Sequence, residues 1–189
     1  MIFYHHPSSF GLTNSYLIGP DNGGDAIIID PGNFDNSILN AIEENNLYLR
    51  FILLTHSHES HIKGITTILK IYNAEIYSYR QSILDYEANK IRDFMTIDCN
   101  GFEFEVFETP GHTGDSLIFR YKKLLFTGDT LLAGSIGSAP DEYARRLIIS
   151  SIKEKILSIR ENLYIFPGHG PPTSLEIERK FNTAFKEEV

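Results

Sequence analysis

The chain has 189 residues, a net charge of −8, 42% hydrophobic and 22% charged residues, and 14 glycines with 8 prolines. That length predicts one domain, residues 1–189, large enough to bury a full core, and the ordinary composition excludes disordered, collagen-like and coiled-coil classes. The acidic balance disfavours binding to nucleic acid or an anionic membrane through bulk charge, but leaves room for a small anionic substrate at a local positive centre.

Strands come first along the chain, then strands alternating with helices. Ser15 to Ile18 and Ala26 to Ile29 are short apolar runs separated by Gly- and Asn-rich punctuation, which predicts a hairpin. Asp30-Pro31-Gly32 ends the second run, and a helix is expected over Phe34 to Asn46. Phe51 to Leu54 is a continuous apolar run, as for a strand buried on both faces. A helix follows over His61 to Tyr72, with Ile62, Ile65, Ile68, Leu69 and Tyr72 at helical spacing, then a strand over Glu75 to Tyr79. Phe102 to Val106 alternates with period two. Leu117 to Tyr121 and Leu124 to Thr127 form a tight hairpin around Lys122-Lys123. A long helix is expected over Tyr143 to Ile159, a short strand over Tyr164 to Phe166, and a closing helix over Glu176 to Phe185.

The single cysteine, Cys99, excludes an internal disulfide and fits a reducing cytosol. Met1 to Pro7 has no basic region followed by an apolar run, so no signal peptide is expected. No window reaches the ~18 apolar residues of a membrane span. The expectation is a soluble cytoplasmic protein.

Seven histidines occur, and five of them fall in loops directly after a predicted strand. Phe51 to Thr55 leads into His56-Ser57-His58-Glu59-Ser60-His61, Phe102 to Glu108 into Gly111-His112, and Tyr164 to Phe166 into Gly168-His169-Gly170. Leu124 to Thr127 leads into Gly128-Asp129 in the same way. Imidazole ligates zinc, iron or manganese, and an extended His-x-His turns both rings toward one ion. His61, a turn further on, could serve a second ion, and the short acid Asp129 can give one oxygen to each. A three-histidine spacing of this kind arises by chance in about 1% of chains of this composition. His5 and His6 read as surface or satisfied core residues.

These motifs resemble the metallo-β-lactamase fold superfamily, and within it the glyoxalase II-like hydrolases. Thr55-His56-Ser57-His58-Glu59-Ser60-His61 is similar to the family's Thr-His-x-His-x-Asp-His, and His112, Asp129 and His169 follow in separate loops. The resemblance implies an α/β chain folded as an αβ/βα four-layer sandwich, of the short form without a glutathione-binding helical domain. It implies that His56, His58 and His112 hold a first ion, His61 and His169 a second, and Asp129 bridges them and orients a metal-bound hydroxide. The cofactor is then one or two zinc ions, with iron or manganese as alternatives, and the partner is a small-molecule substrate.

Ser60 departs from the family's aspartate, Lys63 from a glycine, and Ser138-Ala139-Pro140 from Arg-Thr-Asp. Ser60 reads as the N-cap of a helix beginning at His61, and Glu59 as solvent-facing. The expected activity is metal-dependent hydrolysis of a small ester-like substrate, a thioester first. A mononuclear iron persulfide dioxygenase and an inert metal-binding module with a degraded second site are the alternatives.

Overall fold

Residues 1–186 are described by a computed structural model of the protein. They group into two compact units, one of Met1–Ile91 with Cys99–Gly101, the other of Arg92–Asp98 with the chain from Phe102.

The first unit opens with β1 (Ile2–Pro7), β2 (Asn14–Gly19) and β3 (Gly24–Ile29), then α1 (Asn36–Glu44) and β4 (Leu47–Leu53). Two short helices, α2 (Glu59–Ile62) and α3 (Ile65–Ile71), lead to β5 (Glu75–Ser78), β6 (Ser82–Ile83), β7 (Tyr86–Glu87) and β8 (Asn89–Lys90). Six of these strands form a sheet in the order β1-β2-β3-β4-β5-β8. The β1–β2 and β2–β3 pairs are antiparallel, whereas β3, β4 and β5 run parallel. Parallel neighbours need crossovers, and α1 and the α2–α3 pair supply them. Asp35 caps α1, accepting from the N–H groups of Ser37 (2.9 Å) and Ile38 (3.3 Å). Ile38, Ala41 and Ile42 then face the core, where Ile28, Leu49, Ile52 and Ile65 are also buried.

The helix expected over His61 to Tyr72 is two helices, and the break has a backbone cause. The Gly64 N–H donates to Pro31 O at 2.8 Å instead of continuing the helical ladder. A Cβ on Gly64 would lie 2.6 Å from that carbonyl, so only glycine permits the approach. The break leaves the histidine segment on its own one-turn helix. It also corrects the expectation for Ser60. The helix begins at Glu59, His58 occupies the capping position, and Ser60 lies inside the first turn.

The second unit contains β9 (Thr96–Cys99) up to its last residue, β10 (Phe102–Glu108), β11 (Leu117–Tyr121), β12 (Leu124–Gly128), β13 (Leu131–Leu132) and β14 (Ser135–Ile136). After them come α4 (Glu142–Ser151), a π-helical turn over Ile152–Ile156, β15 (Tyr164–Pro167), β16 (Thr173–Ser174) and α5 (Leu175–Phe181). The sheet order is β16-β15-β12-β11-β10-β9. Because β10 and β12 are each antiparallel to β11, and β15 is parallel to β12, the loops after β10, β12 and β15 open at one sheet edge.

The π turn follows from an apolar row. Ala144, Ile148, Ile152 and Ile156 are all buried and spaced by four. Four residues advance an α-helix by about 400°, so such a row drifts about 40° per step. The wider π turn rotates it back, keeping Ile152 and Ile156 in the core with Leu125, Leu163 and Ile165. Asn182 similarly ends α5 short of the expected Phe185, its side chain accepting from the Ala184 N–H at 3.0 Å to start a 3-10 turn.

No helix among the described residues is long and apolar enough to cross a membrane. A Cβ on Gly32 would lie 2.0 Å from Ser60 O, while one on Gly114 would meet nothing within 4 Å. Gly32→Ala is therefore expected to lower stability by about 1–3 kcal/mol in urea unfolding. Gly114→Ala is expected to stay within about 0.5 kcal/mol of the unmodified protein.

Candidate metal centre

The first unit's histidine cluster is built at the carboxyl ends of two parallel strands. Ile29 at the end of β3 pairs with Leu53 at the end of β4, so Asp30 emerges beside the segment Thr55 to His61. Asp30 has φ +50°, a left-handed conformation that aspartate tolerates better than most residues. Its buried carboxylate accepts the Thr55 N–H at Oδ1 (2.8 Å) and the Thr55 hydroxyl at Oδ2 (2.6 Å). His61 Nδ1 lies 3.0 Å from the same Oδ2.

A carboxylate only accepts, so His61 carries its proton on Nδ1 and presents the Nε2 lone pair. The Thr55 hydroxyl has already donated to Asp30, so toward His56 Nδ1, 3.1 Å away, it accepts. His56 therefore also carries its proton on Nδ1, and its Nε2 lone pair points at His58 Nδ1, 3.0 Å away. One buried aspartate thus fixes two ring tautomers, directly and through a threonine. His56 and His61 are buried and His58 is exposed.

The second unit orients His112 by the same rule with a different acceptor. His112 Nδ1 donates to the Ser138 carbonyl at 2.8 Å, leaving Nε2 3.6 Å from Asp129 Oδ2. His169 Nδ1 lies 2.7 Å from Asp129 Oδ1, so the two carboxylate oxygens face different histidines. The Gly168 N–H donates to Gly128 O at 2.8 Å, which ties the His169 loop to the Asp129 loop. Gly137 permits the closest approach, since a Cβ there would lie 1.8 Å from Asp129 O and 3.1 Å from His112 Nδ1. Beside this segment a cavity of about 320 Å³ opens between Ile136, Ser138, Ala139 and Arg145.

The donor set fits a divalent ion. Two ligands each ~2.1 Å from a tetrahedral ion are separated by about 3.4 Å. The His112–Asp129 separation of 3.6 Å meets that spacing, and the 3.0 Å and 2.7 Å pairs reach it by small ring rotations. Imidazole nitrogens with Nδ1 held by protein acceptors, plus a carboxylate, are ligands for zinc, iron or manganese.

Of the residues read from the sequence, His56, His58 and His61 lie together in the first unit, and His112, Asp129 and His169 in the second. Glu59 is exposed. His5 Nε2 meets Asn14 Oδ1 at 2.8 Å and His6 pairs with Asp35 at 3.1 Å, contacts that serve the sheet and the α1 cap. Sequence reasoning missed Asp30, Thr55 as its relay, and the Ser138 carbonyl. The available signal for Asp30 was an acid ending a strand parallel to the histidine-bearing one.

A family model described as Metallo-beta-lactamase superfamily matches residues 9–174. The hydroxyacylglutathione hydrolase GloC of Haemophilus influenzae is 30% identical over 190 residues, covering 86% of this chain and 88% of its own. The ETHE1 crystal structure from Myxococcus xanthus superposes with a TM-score of 0.87 at 25% identity, over 97% of this chain and 84% of its own. The BLEG-1 B3 metallo-beta-lactamase crystal structure gives 0.84 at 27% identity, over 96% and 98%.

Asparagine at position 30 would turn an NH₂ toward donors that need an acceptor. Asp30→Asn is expected to weaken metal binding by about 10–100-fold in a chelator competition. It should also destabilise the protein by about 1–3 kcal/mol in urea unfolding.

Proposed function

Because the chain belongs to the metallo-beta-lactamase superfamily, we propose that His56, His58, His112 and Asp129 hold one divalent ion and that His61, Asp129 and His169 hold a second. In this reading the protein hydrolyses a small ester-like substrate, a thioester first, in line with the name of its Haemophilus influenzae relative. The observation that carries it is the proton placement. His56, His61 and His112 each have Nδ1 engaged by an acceptor outside the ligand set, which turns the Nε2 lone pair outward, while His169 Nδ1 faces Asp129 Oδ1, its proposed co-ligand.

Bound ions would polarise an acyl carbonyl and lower the pKa of water toward ~7. Asp129 is the residue assigned to catalysis. Its oxygens are directed at different histidines, so one carboxylate can hold both ions and accept a hydrogen bond from the attacking water. The partner is a small molecule. A lone buried thiol, Cys99, fits a cytoplasmic setting.

Ser60 favours a second reading, a mononuclear iron enzyme acting on a persulfide. It places a neutral hydroxyl where the family resemblance has a carboxylate, and the neighbouring acid Glu59 is exposed. Such an enzyme needs one of the first-motif histidines with His112 and Asp129. Elemental analysis of protein purified without added metal separates the two, zinc favouring hydrolysis and iron the dioxygenase. Metal-loaded protein that turns over no thioester, lactone or persulfide would favour the inert module instead.

His112→Ala is expected to abolish both metal retention and chelator-sensitive thioester hydrolysis, and full metal occupancy in that variant refutes the ligand assignment. Ser60 also predicts unequal sites. Two divalent ions with one carboxylate between them repel more strongly than with two. Native protein should therefore hold nearer one ion per chain, and Ser60→Asp should move elemental analysis toward two.

A further inference from the structure

Glu178 lies on α5 with no accessible surface, and every partner it has in the second unit is a donor. The Gly134 N–H reaches both of its oxygens, at 3.0 and 3.2 Å, the Thr173 hydroxyl donates to Oε1 at 2.7 Å, and Asn182 Nδ2 donates to Oε2 at 2.7 Å. Asn182, one turn further along and also buried, donates from the same amide nitrogen to Ser135 O at 2.9 Å. Gly134 lies in the two-residue turn of the β13–β14 hairpin and Ser135 opens β14, and the two strands are only two residues each. A hairpin that short has no independent stability and takes its position from what grips it.

Both ends of that hairpin run into the metal centre. Asp129-Thr130 precedes β13, and Gly137-Ser138 follows β14. The Gly137 N–H donates to Thr130 O at 3.3 Å, its Cα packs against the Asp129 carbonyl, and Ser138 O receives the His112 Nδ1–H. Thr173 lies at the end of the loop that starts at His169, so the same carboxylate reaches that ligand's segment as well.

We propose that Glu178, assisted by Asn182, is a positioning residue for the metal ligands of the second unit, clamping at one point the hairpin that orients His112 and Asp129 and the loop that carries His169. The inference rests on the metal-centre reading. An apolar side chain would fill this place in the core without burying a charge-bearing group, but only an acceptor with two oxygens can fix donors from three segments at once.

The test measures zinc dissociation by competition with a chromophoric chelator, and the visible spectrum of the Co²⁺-loaded protein as a readout of ligand geometry. Both are made well below the unfolding temperature of every variant. Glu178→Gln places an NH₂ among donors and is expected to raise the zinc dissociation constant about 10–100-fold and alter the Co²⁺ spectrum. Thr173→Val should raise it several-fold, and Thr173→Ser, which keeps the hydroxyl, should restore the native value. Leu163→Ala, a core truncation in the same unit, should lower the melting temperature while leaving zinc affinity and spectrum unchanged. Native-like zinc binding in both Glu178→Gln and Thr173→Val overturns the inference, as does an equal loss of affinity in Leu163→Ala. If Glu178→Gln does not fold, the Thr173→Val and Thr173→Ser pair decides. Unmodified protein that binds neither ion overturns the metal-centre reading and this inference with it, whereas tight binding shared by the parent and the variants overturns this inference alone.

Discussion

A buried carboxylate can only accept, so whatever faces it must donate, and at Asp30 that constraint propagates through the histidines of the first unit. The Thr55 hydroxyl spends its one proton on Asp30 and has only lone pairs left for His56, while His61 gives Asp30 its Nδ1 proton directly. Two rings are thereby oriented with the same nitrogen outward, without either histidine having to find its own acceptor. The carboxylate can do this only because β3 and β4 run parallel and end together, which sets Asp30 beside Thr55. Loops at the carboxyl ends of parallel strands are where α/β sheets collect functional groups, and the local cause in this chain is the shared donor accounting at Asp30.

The second unit solves the same problem with a backbone acceptor. The Ser138 carbonyl sets the His112 tautomer, so the side chain at position 138 is free of that duty and only the path of the chain matters. Path is controlled by Gly137, which lies against the Asp129 carbonyl where no Cβ fits, and by the α5 clamp on the hairpin. The contrast separates how the halves tolerate change. The first depends on the identity of one acid, and the second on backbone geometry held by several contacts.

The strands around the site were legible because their signals are local. The buried runs Ala26 to Ile29 and Phe51 to Leu54 read as strands from composition alone, and the five strand-end histidines stood out by position. The break between α2 and α3 was not legible. Its cause is a hydrogen bond from Gly64 to Pro31, far away in sequence, and the apolar spacing from Ile62 to Tyr72 runs through it unchanged. β1 was passed over because its mostly half-buried, histidine-bearing residues resemble neither a core run nor a clean alternation. Asp30 read as punctuation at a strand end, and Glu178 fell unremarked inside the closing helix. Both act through pairings that exist only once distant segments meet.

The π-helical turn over Ile152–Ile156 bears on how chain length can vary. Such a turn holds one residue more than the regular ladder would, without re-registering the chain on either side. It lies on the crossover between β12 and β15, whose parallel pairing places Leu125 opposite Ile165. A one-residue deletion at this turn can be absorbed by its return to α-helix, while the strands bearing Asp129 and His169 keep their register. A one-residue change of length therefore has a place in the crossover at Ile152–Ile156 that leaves both strand ends where they are.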